Sequence, residues 1–501
     1  MVGAGPGDAG LLTLRGAELL KHADVVVCDV LVNPELLRLA PATAEIILRG
    51  NHKREGGLSQ EELTEVMLRR AQDGKAVVRL KGGDPYVFGR GGEEAELLAA
   101  AKIHFEIVPG VSSVVAAASY AGIPLTHRDH CSSFTVFTGH SDSTDDAATA
   151  LRYEQIAKSP GTKVVLMGMD NLADWTKSLI ANGMAPNLPV AIVHRGTTGR
   201  QKTVAGTLAT IAKLALENKI LPPAITILGE VVKLRGKLNW FEQKPLFGQR
   251  IVITRRTGQA GSLAARLAEL GADVLEVPTI KVTEPSERMA LVDALLELNS
   301  YEWLVFTSAN GVTAFFDLFF KQFKDLRDIG GVRIAAVGPA TAARLRELHL
   351  QVDLMPEVYV GTKIAAAFKK YQNIENVKIC LLRAEVASRD LPDALQELGA
   401  IVDDIPVYRT VAETEDRTGA AARLLEEGAD WVTFTSSSTV EHFHARFDLP
   451  KLLNQFPRLK LASIGPETSK AIAKLGLKPQ LEAKEHTTDG LVAALLKAAK
   501  A

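Results

Sequence analysis

The chain has 501 residues, 47% hydrophobic and 23% charged, with 40 glycines and 22 prolines; this balance excludes disordered, collagen-like and coiled-coil proteins, and the length implies roughly three to five domains. With 58 Lys and Arg against 59 Asp and Glu, the net charge is −1, so no global basic field draws the protein to nucleic acid or anionic lipid, and any anion site must be local. Cys28, Cys131 and Cys380 form no CxxC pair and lack a nearby histidine cluster, so neither a disulfide framework nor a metal site is expected, and a reducing, cytoplasmic setting is.

The chain opens on Met1-Val2-Gly3-Ala4-Gly5-Pro6-Gly7-Asp8, without the basic and apolar regions of a secretory signal. Only two residues precede this glycine-rich turn, so part of a first strand is expected to be missing. No later apolar run approaches the ~20 residues a membrane span needs. Short apolar runs ending near Cys28, Leu80, Met167 and Leu228 read as strands alternating with amphipathic helices, an α/β signature. The opening turn imitates a dinucleotide fingerprint, with Asp29 about 20 residues on where a ribose ligand would stand. Asp8 occupies the third glycine position, however, and Pro6 removes a backbone N–H, so the turn suits a ligand without phosphates better than a nucleotide. A plain strand-to-helix turn is the alternative.

Residues 81–94, KGGDPYVFGRGGEE, follow a strand directly and carry five glycines. Glycine admits close backbone approach and positive φ, so this cluster at a strand's carboxyl end reads as a ligand cradle. Pro109-Gly110-Val111-Ser112-Ser113 then opens a small-residue helix whose free N–H groups could hold a carboxylate or simply be capped. These segments, with 121–128 (AGIPLTHR) and 237–241 (KLNWF), resemble uroporphyrinogen-III C-methyltransferase of the tetrapyrrole methylase family, in order over residues 1–241. The resemblance implies two α/β subdomains, 1–110 and 111–241, a homodimer, and S-adenosylmethionine as methyl donor. It carries cofactor contacts onto Pro6, Gly82, Gly83, Asp84, Val87, Ser112, Ser113, Met167 and Gly196, and a proton acceptor onto Asp29. Two positions depart from the family: Val30 stands where an arginine is usual, and Asn51 where a lysine is the proposed proton donor, with Lys53 two residues on.

Between 236 and 248 periodicity gives way to charges, Pro and Gly, and a boundary is expected there, with 242–249 as linker. Beyond it the chain repeats itself. Residues 250–255 (RIVITR) match 378–383 (KICLLR), 303–308 (WLVFTS) match 431–436 (WVTFTS), and 335–341 (AAVGPAT) match 462–468 (ASIGPET). Two copies imply two similar lobes, whose cleft is a natural ligand pocket. Hydroxyl groups recur at two strand ends, Thr307-Ser308 and Thr435-Ser436-Ser437, where each opens a helix and can receive an anion as well as cap.

These segments, together with 406–410 (PVYRT), resemble uroporphyrinogen-III synthase over residues 250–501. The resemblance implies a duplicated α/β bilobe with crossed connectivity: 250–283 plus 412–501 in one lobe and 284–411 in the other. It also implies closure of the linear tetrapyrrole hydroxymethylbilane with inversion of its last ring, Tyr408 assisting the departing hydroxyl. Such tetrapyrroles carry eight carboxylates, so Arg255, Arg383 and Arg409, which follow strands, are expected to help bind them. The two halves form a sequence in which the second makes uroporphyrinogen III and the first methylates it to precorrin-2. The rivals are a dinucleotide-dependent oxidoreductase, a binding protein with duplicated lobes, and a methylase-like domain that binds tetrapyrrole without methylating it.

Overall fold

A computed structural model describes residues 1–49, 58–139, 152–255, 261–358 and 361–500; Asn51 and Lys53 lie outside these residues. The first sheet holds β1 (Val2–Gly3), β2 (Val25–Cys28), β3 (Glu45–Leu48) and β4 (Val77–Lys81), all parallel, in the order β1-β4-β2-β3. β2 is apolar throughout and buried along its length, as an interior parallel strand covered on both faces must be. Because all four strands run the same way, the turns after β1, β2 and β4 emerge at one edge. The helices start on side-chain caps. Thr13 accepts from the backbone of Gly16, and Ser59 and Glu62 form a reciprocal capping box.

A second sheet follows, with β5 (Phe134–Thr138), β6 (Thr162–Leu166), β7 (Pro189–His194), β8 (Lys202–Thr207) and β9 (Ala224–Leu228) in the order β5-β6-β9-β7-β8. β9 runs antiparallel to both β6 and β7, and Ile225 pairs with Leu166 on one side and Val193 on the other. The loops after β6 and β7 therefore leave the sheet at the same edge. Helix Ser113–Tyr120 packs on this sheet through Val114, Ala117 and Ala118, which share a core with Val164 and Ile225.

The expected linker is not a free tether. Glu242 accepts hydrogen bonds from Gln201 Nε2 (2.9 Å) and Thr203 Oγ1 (2.6 Å) and pairs with Arg235. Phe241 packs against Tyr120 and Phe247, and Leu246 enters the core that holds Ile251 and Leu267. Added contacts bind the first half to the sheet that follows. A side chain on Gly199 would strike the backbone of Asp273 at 2.4 Å, and the Arg38 guanidinium reaches Glu276 while its Nε lies 2.9 Å from Glu35. Burial pushes the Glu35 carboxyl up to about 7; Arg38 opposes the rise and Glu276 adds to it.

After residue 249 the chain forms β10 (Arg250–Ile253) and β11 (Asp273–Glu276), then builds a separate sheet from β12 (Ile280–Thr283), β13 (Trp303–Phe306), β14 (Arg333–Ala336), β15 (Lys378–Ala384) and β16 (Ile401–Ala412). It returns as β17 (Trp431–Phe434), β18 (Lys460–Ser463) and β19 (Leu481–Glu482). The orders are β11-β10-β17-β18-β19 and β12-β16-β15-β13-β14. Laying β11, β10, β17 and β18 on β16, β15, β13 and β14 matches every repeated segment read from the sequence, so the duplication is structural, with the strands threaded in a different order. One expectation is corrected. Residues 280–283, assigned to the lobe formed by the chain's ends, pair antiparallel with 409–412 of β16 instead, because this side-to-side ladder gives β16 its outer partner. Among the described residues, one compact unit takes in Met1–Thr254, 261–277 and 415–500, and the other takes in Pro278–Thr414 with Arg255. No helix among them is long and apolar enough to cross a membrane.

Candidate active sites

The turns after β1 and β4 are locked together. Gly5 N donates to Gly83 O (3.2 Å) and Gly83 N to Gly5 O (2.7 Å), while a Cβ on Gly110 would lie 2.1 Å from Gly83 O and 2.7 Å from Gly3 Cα. Three predicted segments thus converge with no room for side chains at their crossing. Asp84 ties them further, accepting from Gly110 N (3.0 Å) and Tyr86 N (2.8 Å). Gly83 has φ +65°, and the nearest atom a side chain there would meet is Ser112 Cα at 3.8 Å, so this glycine faces usable space. Ser112 caps helix Ser113–Tyr120 by accepting from Val114 N (3.3 Å).

The glycine cluster is only in part a cradle. Side chains on Gly89 and Gly91 would meet Pro85 O at 2.9 and 2.3 Å, so these two glycines serve the folding of their own loop, where the sequence reads all five as a cradle. Asp8, which breaks the dinucleotide fingerprint, is spent internally: it caps a turn through Gly10 N (2.8 Å) and accepts from the Tyr120 hydroxyl (2.8 Å). Its own backbone N–H donates to Thr197 Oγ1 (3.0 Å), joining the opening turn to the loop after β7. In that loop a Cβ on Gly196 would press on Ala117 Cβ at 2.5 Å. Pro6 is partly buried, and Val87 and Met167 are exposed. Phe88, Arg90, Met167, Arg195 and Thr197 all have positive φ without being glycine. Each costs about 1–3 kcal/mol and persists only where its surroundings over-determine it, as at binding loops.

Asp29 follows β2 at the same edge, its side chain 17% exposed. Arg79 Nη2 donates to its Oδ1 at 2.7 Å; Arg49 lies 3.8 Å from Oδ1 and Lys81 3.9 Å from Oδ2. Beneath it Glu94 Oε1 accepts from Gln60 Nε2 (2.5 Å), Lys81 Nζ (2.9 Å) and Arg79 Nη2 (3.1 Å). Burial opposes ionisation of Glu94, but Arg79 and Lys81 outweigh it and hold the carboxyl below its usual range. Burial, with Arg79 nearby, pulls the Lys81 ammonium down. The sequence reading missed this cluster. Its signal was present, since residues 79 and 81 are charges two apart in an otherwise apolar strand and so share one face.

In the second half, Ser308 caps helix Ala309–Gln322 by accepting from Gly311 N (3.0 Å), and its Oγ also meets the Tyr408 hydroxyl at 3.0 Å. Thr307 N donates to Leu382 O at 3.3 Å. Tyr408 is buried in the core with Phe315 and Val407. Thr435, Ser436 and Ser437 lie in the other compact unit. There Ser436 caps helix Ser437–Phe447, accepting from Thr439 N, and Ser437 donates to Glu467 O (3.1 Å). Of the three arginines, Arg383 is neutralised by a two-point pair with Asp404, which removes it as a ligand for substrate. Arg409 donates to Thr283 Oγ1 (3.1 Å) and Ser286 Oγ (3.3 Å). Arg255 has no ion-pair partner among the described residues, and burial pulls its pKa down. A cavity of about 210 Å³ lined by Val282, Arg288, Asp317 and Lys321 includes neither Ser308 nor Tyr408.

The tetrapyrrole (corrin/porphyrin) methylase family matches residues 1–212, and the uroporphyrinogen-III synthase HemD family matches residues 261–493. The porphyrin biosynthesis protein HemD of Ruminiclostridium josui is 39% identical over 497 residues, covering 99% of this chain and 97% of that protein. The chain belongs to both families, one in each half. The uroporphyrinogen-III C-methyltransferase of Bacillus subtilis (strain 168) is 40% identical over 357 residues, 71% of this chain and 73% of that protein. The crystal structure of uroporphyrin-III C-methyl transferase from Thermus thermophilus, complexed with S-adenyl homocysteine, is 39% identical with a TM-score of 0.39, covering 46% of this chain and 97% of that one. A tetrapyrrole methylase joined to a uroporphyrinogen-III synthase is a bifunctional enzyme of tetrapyrrole biosynthesis.

Proposed function

We propose that the second half closes hydroxymethylbilane to uroporphyrinogen III and that the first half methylates this product to precorrin-2 with S-adenosylmethionine. The observation that carries the methyltransferase reading is the convergence of the Gly3–Gly5, Gly82–Gly83 and Gly110–Ser112 backbones beside Asp29 at one sheet edge. The cradle fits the cofactor. Nothing lies closer than 3.8 Å to a side chain built on Gly83, the carboxylate of Asp84 orients the turn, and no phosphate-type nest is offered where Pro6 lacks its N–H. Pro6, Gly82, Gly83, Asp84, Val87, Ser112, Ser113, Met167 and Gly196 are the residues assigned to hold it. When bound, S-adenosylmethionine supplies an electrophilic methyl group on a sulfonium.

A pyrrole carbon is already a fair nucleophile, so the residues act mainly by alignment and exclusion of water. Asp29 stands ready to take the proton that the methylated pyrrole releases, its Oδ1 held by Arg79 at 2.7 Å and its Oδ2 3.9 Å from Lys81. In the synthase half, the hydroxyls of Ser308 and Tyr408 form a relay that can pass a proton to the departing hydroxyl of the linear substrate. Arg255, Thr307, Ser308, Thr435, Ser436 and Ser437 are assigned to substrate carboxylates, through one guanidinium and two helix N-termini.

A homodimer through the methyltransferase half and a cytoplasmic setting complete the reading. Light scattering on the purified chain is expected to give twice the chain mass. Incubation with uroporphyrinogen III and S-adenosylmethionine is expected to give methylated tetrapyrrole and S-adenosylhomocysteine in step; unmethylated substrate alone overturns the methyltransferase assignment.

A further inference from the structure

We infer that Arg79 is a positioning residue for methyl transfer, holding the Asp29 carboxylate in place from below through a buried charge cluster. The inference rests on the proposed role of Asp29. Arg79 and Lys81 sit side by side on the inner face of β4, and Arg79, Lys81 and Glu94 have side chains only 1%, 2% and 2% exposed. Taking these ions from water is expensive, and well-packed apolar residues at such sites are often neutral or stabilising. A strand reading VVRLK therefore keeps two charges where packing alone favours none.

The geometry shows what they do. A single atom, Arg79 Nη2, is 2.7 Å from Asp29 Oδ1 and 3.1 Å from Glu94 Oε1, so one guanidinium bridges the buried carboxylate and the one at the sheet edge. Its Nε adds a contact to Glu94 Oε1 at 3.3 Å, and Nη1 donates to Val27 O and Leu80 O at 3.4 Å, which fixes the plane of the fork against β2 and β4. Gln60 pins Glu94 from helix Gln60–Gln72. Among the described residues, two buried cations face one buried carboxylate, and Asp29 brings a second negative charge beside them. Arg49, 3.8 Å from Asp29 Oδ1, adds a further cation from the end of β3. The cluster thus supplies an oriented acceptor before substrate arrives, which is the preorganisation that lowers reorganisation cost during reaction. Lysine could supply the charge at position 79 but not the Nε and Nη1 contacts that fix the plane of the bridging group.

The test is steady-state methyl transfer by the full chain carrying Arg79→Met, Arg79→Lys, Asp29→Asn and the Arg79→Met/Asp29→Asn pair, with S-adenosylmethionine affinity measured by calorimetry. Arg79→Met is expected to lower kcat at least about tenfold with KM and cofactor affinity within about threefold, Arg79→Lys to restore part of it, and the double variant to be no slower than Asp29→Asn alone. A purely structural arginine predicts the opposite, with losses that multiply in the double variant. Should Arg79→Met fail to fold, Arg79→Lys decides: wild-type kcat in that variant overturns the inference, whereas a loss that Asp29→Asn masks supports it. Full activity in Asp29→Asn overturns the role given to Asp29 itself and is distinguishable from a positioning failure, in which Asp29→Asn is slow and Arg79 variants are not.

Discussion

The hydroxyl of Tyr408 lies 3.0 Å from the Oγ of Ser308, the residue that caps helix Ala309–Gln322. One serine therefore serves both stability and the proposed chemistry, and two substitutions separate them. Ser308→Ala removes the cap and leaves a buried tyrosine hydroxyl unpaired, which is expected to destabilise by about 1–3 kcal/mol. Tyr408→Phe keeps the cap and is expected to cost less than Ser308→Ala in urea unfolding, while both slow cyclisation of hydroxymethylbilane. If Tyr408→Phe cyclises at the normal rate, the relay is not used.

Glu35 gives the junction between the halves a pH dependence of definite sign. Its carboxyl is raised from 4.5 to about 7 in the folded chain, chiefly by burial. The folded protein holds this proton where the unfolded chain has lost it, so the contribution is fully present below pH 4.5 and is lost as pH rises to about 7. The full shift corresponds to on the order of 3 kcal/mol. Unfolding midpoints are expected to fall over that window in the natural sequence, and Glu35→Gln, which needs no proton, is expected to flatten this part of the profile.

Gly110→Ala tests the crossing of the three loops. The added Cβ would lie 2.1 Å from Gly83 O, with backbone on every side, so the loops must separate. Overpacking of this kind costs about 1–3 kcal/mol. Methyl transfer and S-adenosylmethionine affinity are expected to collapse while cyclisation by the same preparation continues. Unchanged cofactor affinity contradicts the cradle.

Arg255→Ala addresses the synthase substrate. With no ion-pair partner among the described residues and a partly buried position two residues beyond β10, Arg255 is set to receive an anion. The substitution is expected to raise the KM for hydroxymethylbilane at least about tenfold, as loss of a charge-assisted bond would. Replacing exposed Lys213 should leave KM within about twofold.

The alternation of strands and helices, the duplicated segments and the glycine-rich turns were all legible in the sequence, because each rests on a local rule: two-sided burial, repeated spacing, or a backbone that must come close. Register across the lobes was less so. Whether 280–283 joins one sheet or the other depends on which strand lacks an outer neighbour, a fact of topology that no window of residues contains. The site divided in the same way. Gly83 and Gly110 announced themselves by type, but Gly89 and Gly91 looked identical to them and proved to serve Pro85. Arg383 resembled Arg255 in sequence, each ending a matched strand, yet Asp404 neutralises only the former. The Arg79 and Lys81 pair stood in plain view as charges in an apolar strand and still needed Glu94, contributed by the next helix, to acquire meaning.

The most direct test feeds hydroxymethylbilane to the purified full-length chain, with and without S-adenosylmethionine, and resolves products by mass and isomer. Without the cofactor the type III isomer of uroporphyrinogen is expected in place of the spontaneously formed type I, and with it the type III product is expected to be converted to methylated tetrapyrrole. Type I isomer alone, or a type III product that gains no methyl group when the cofactor is added, contradicts the account.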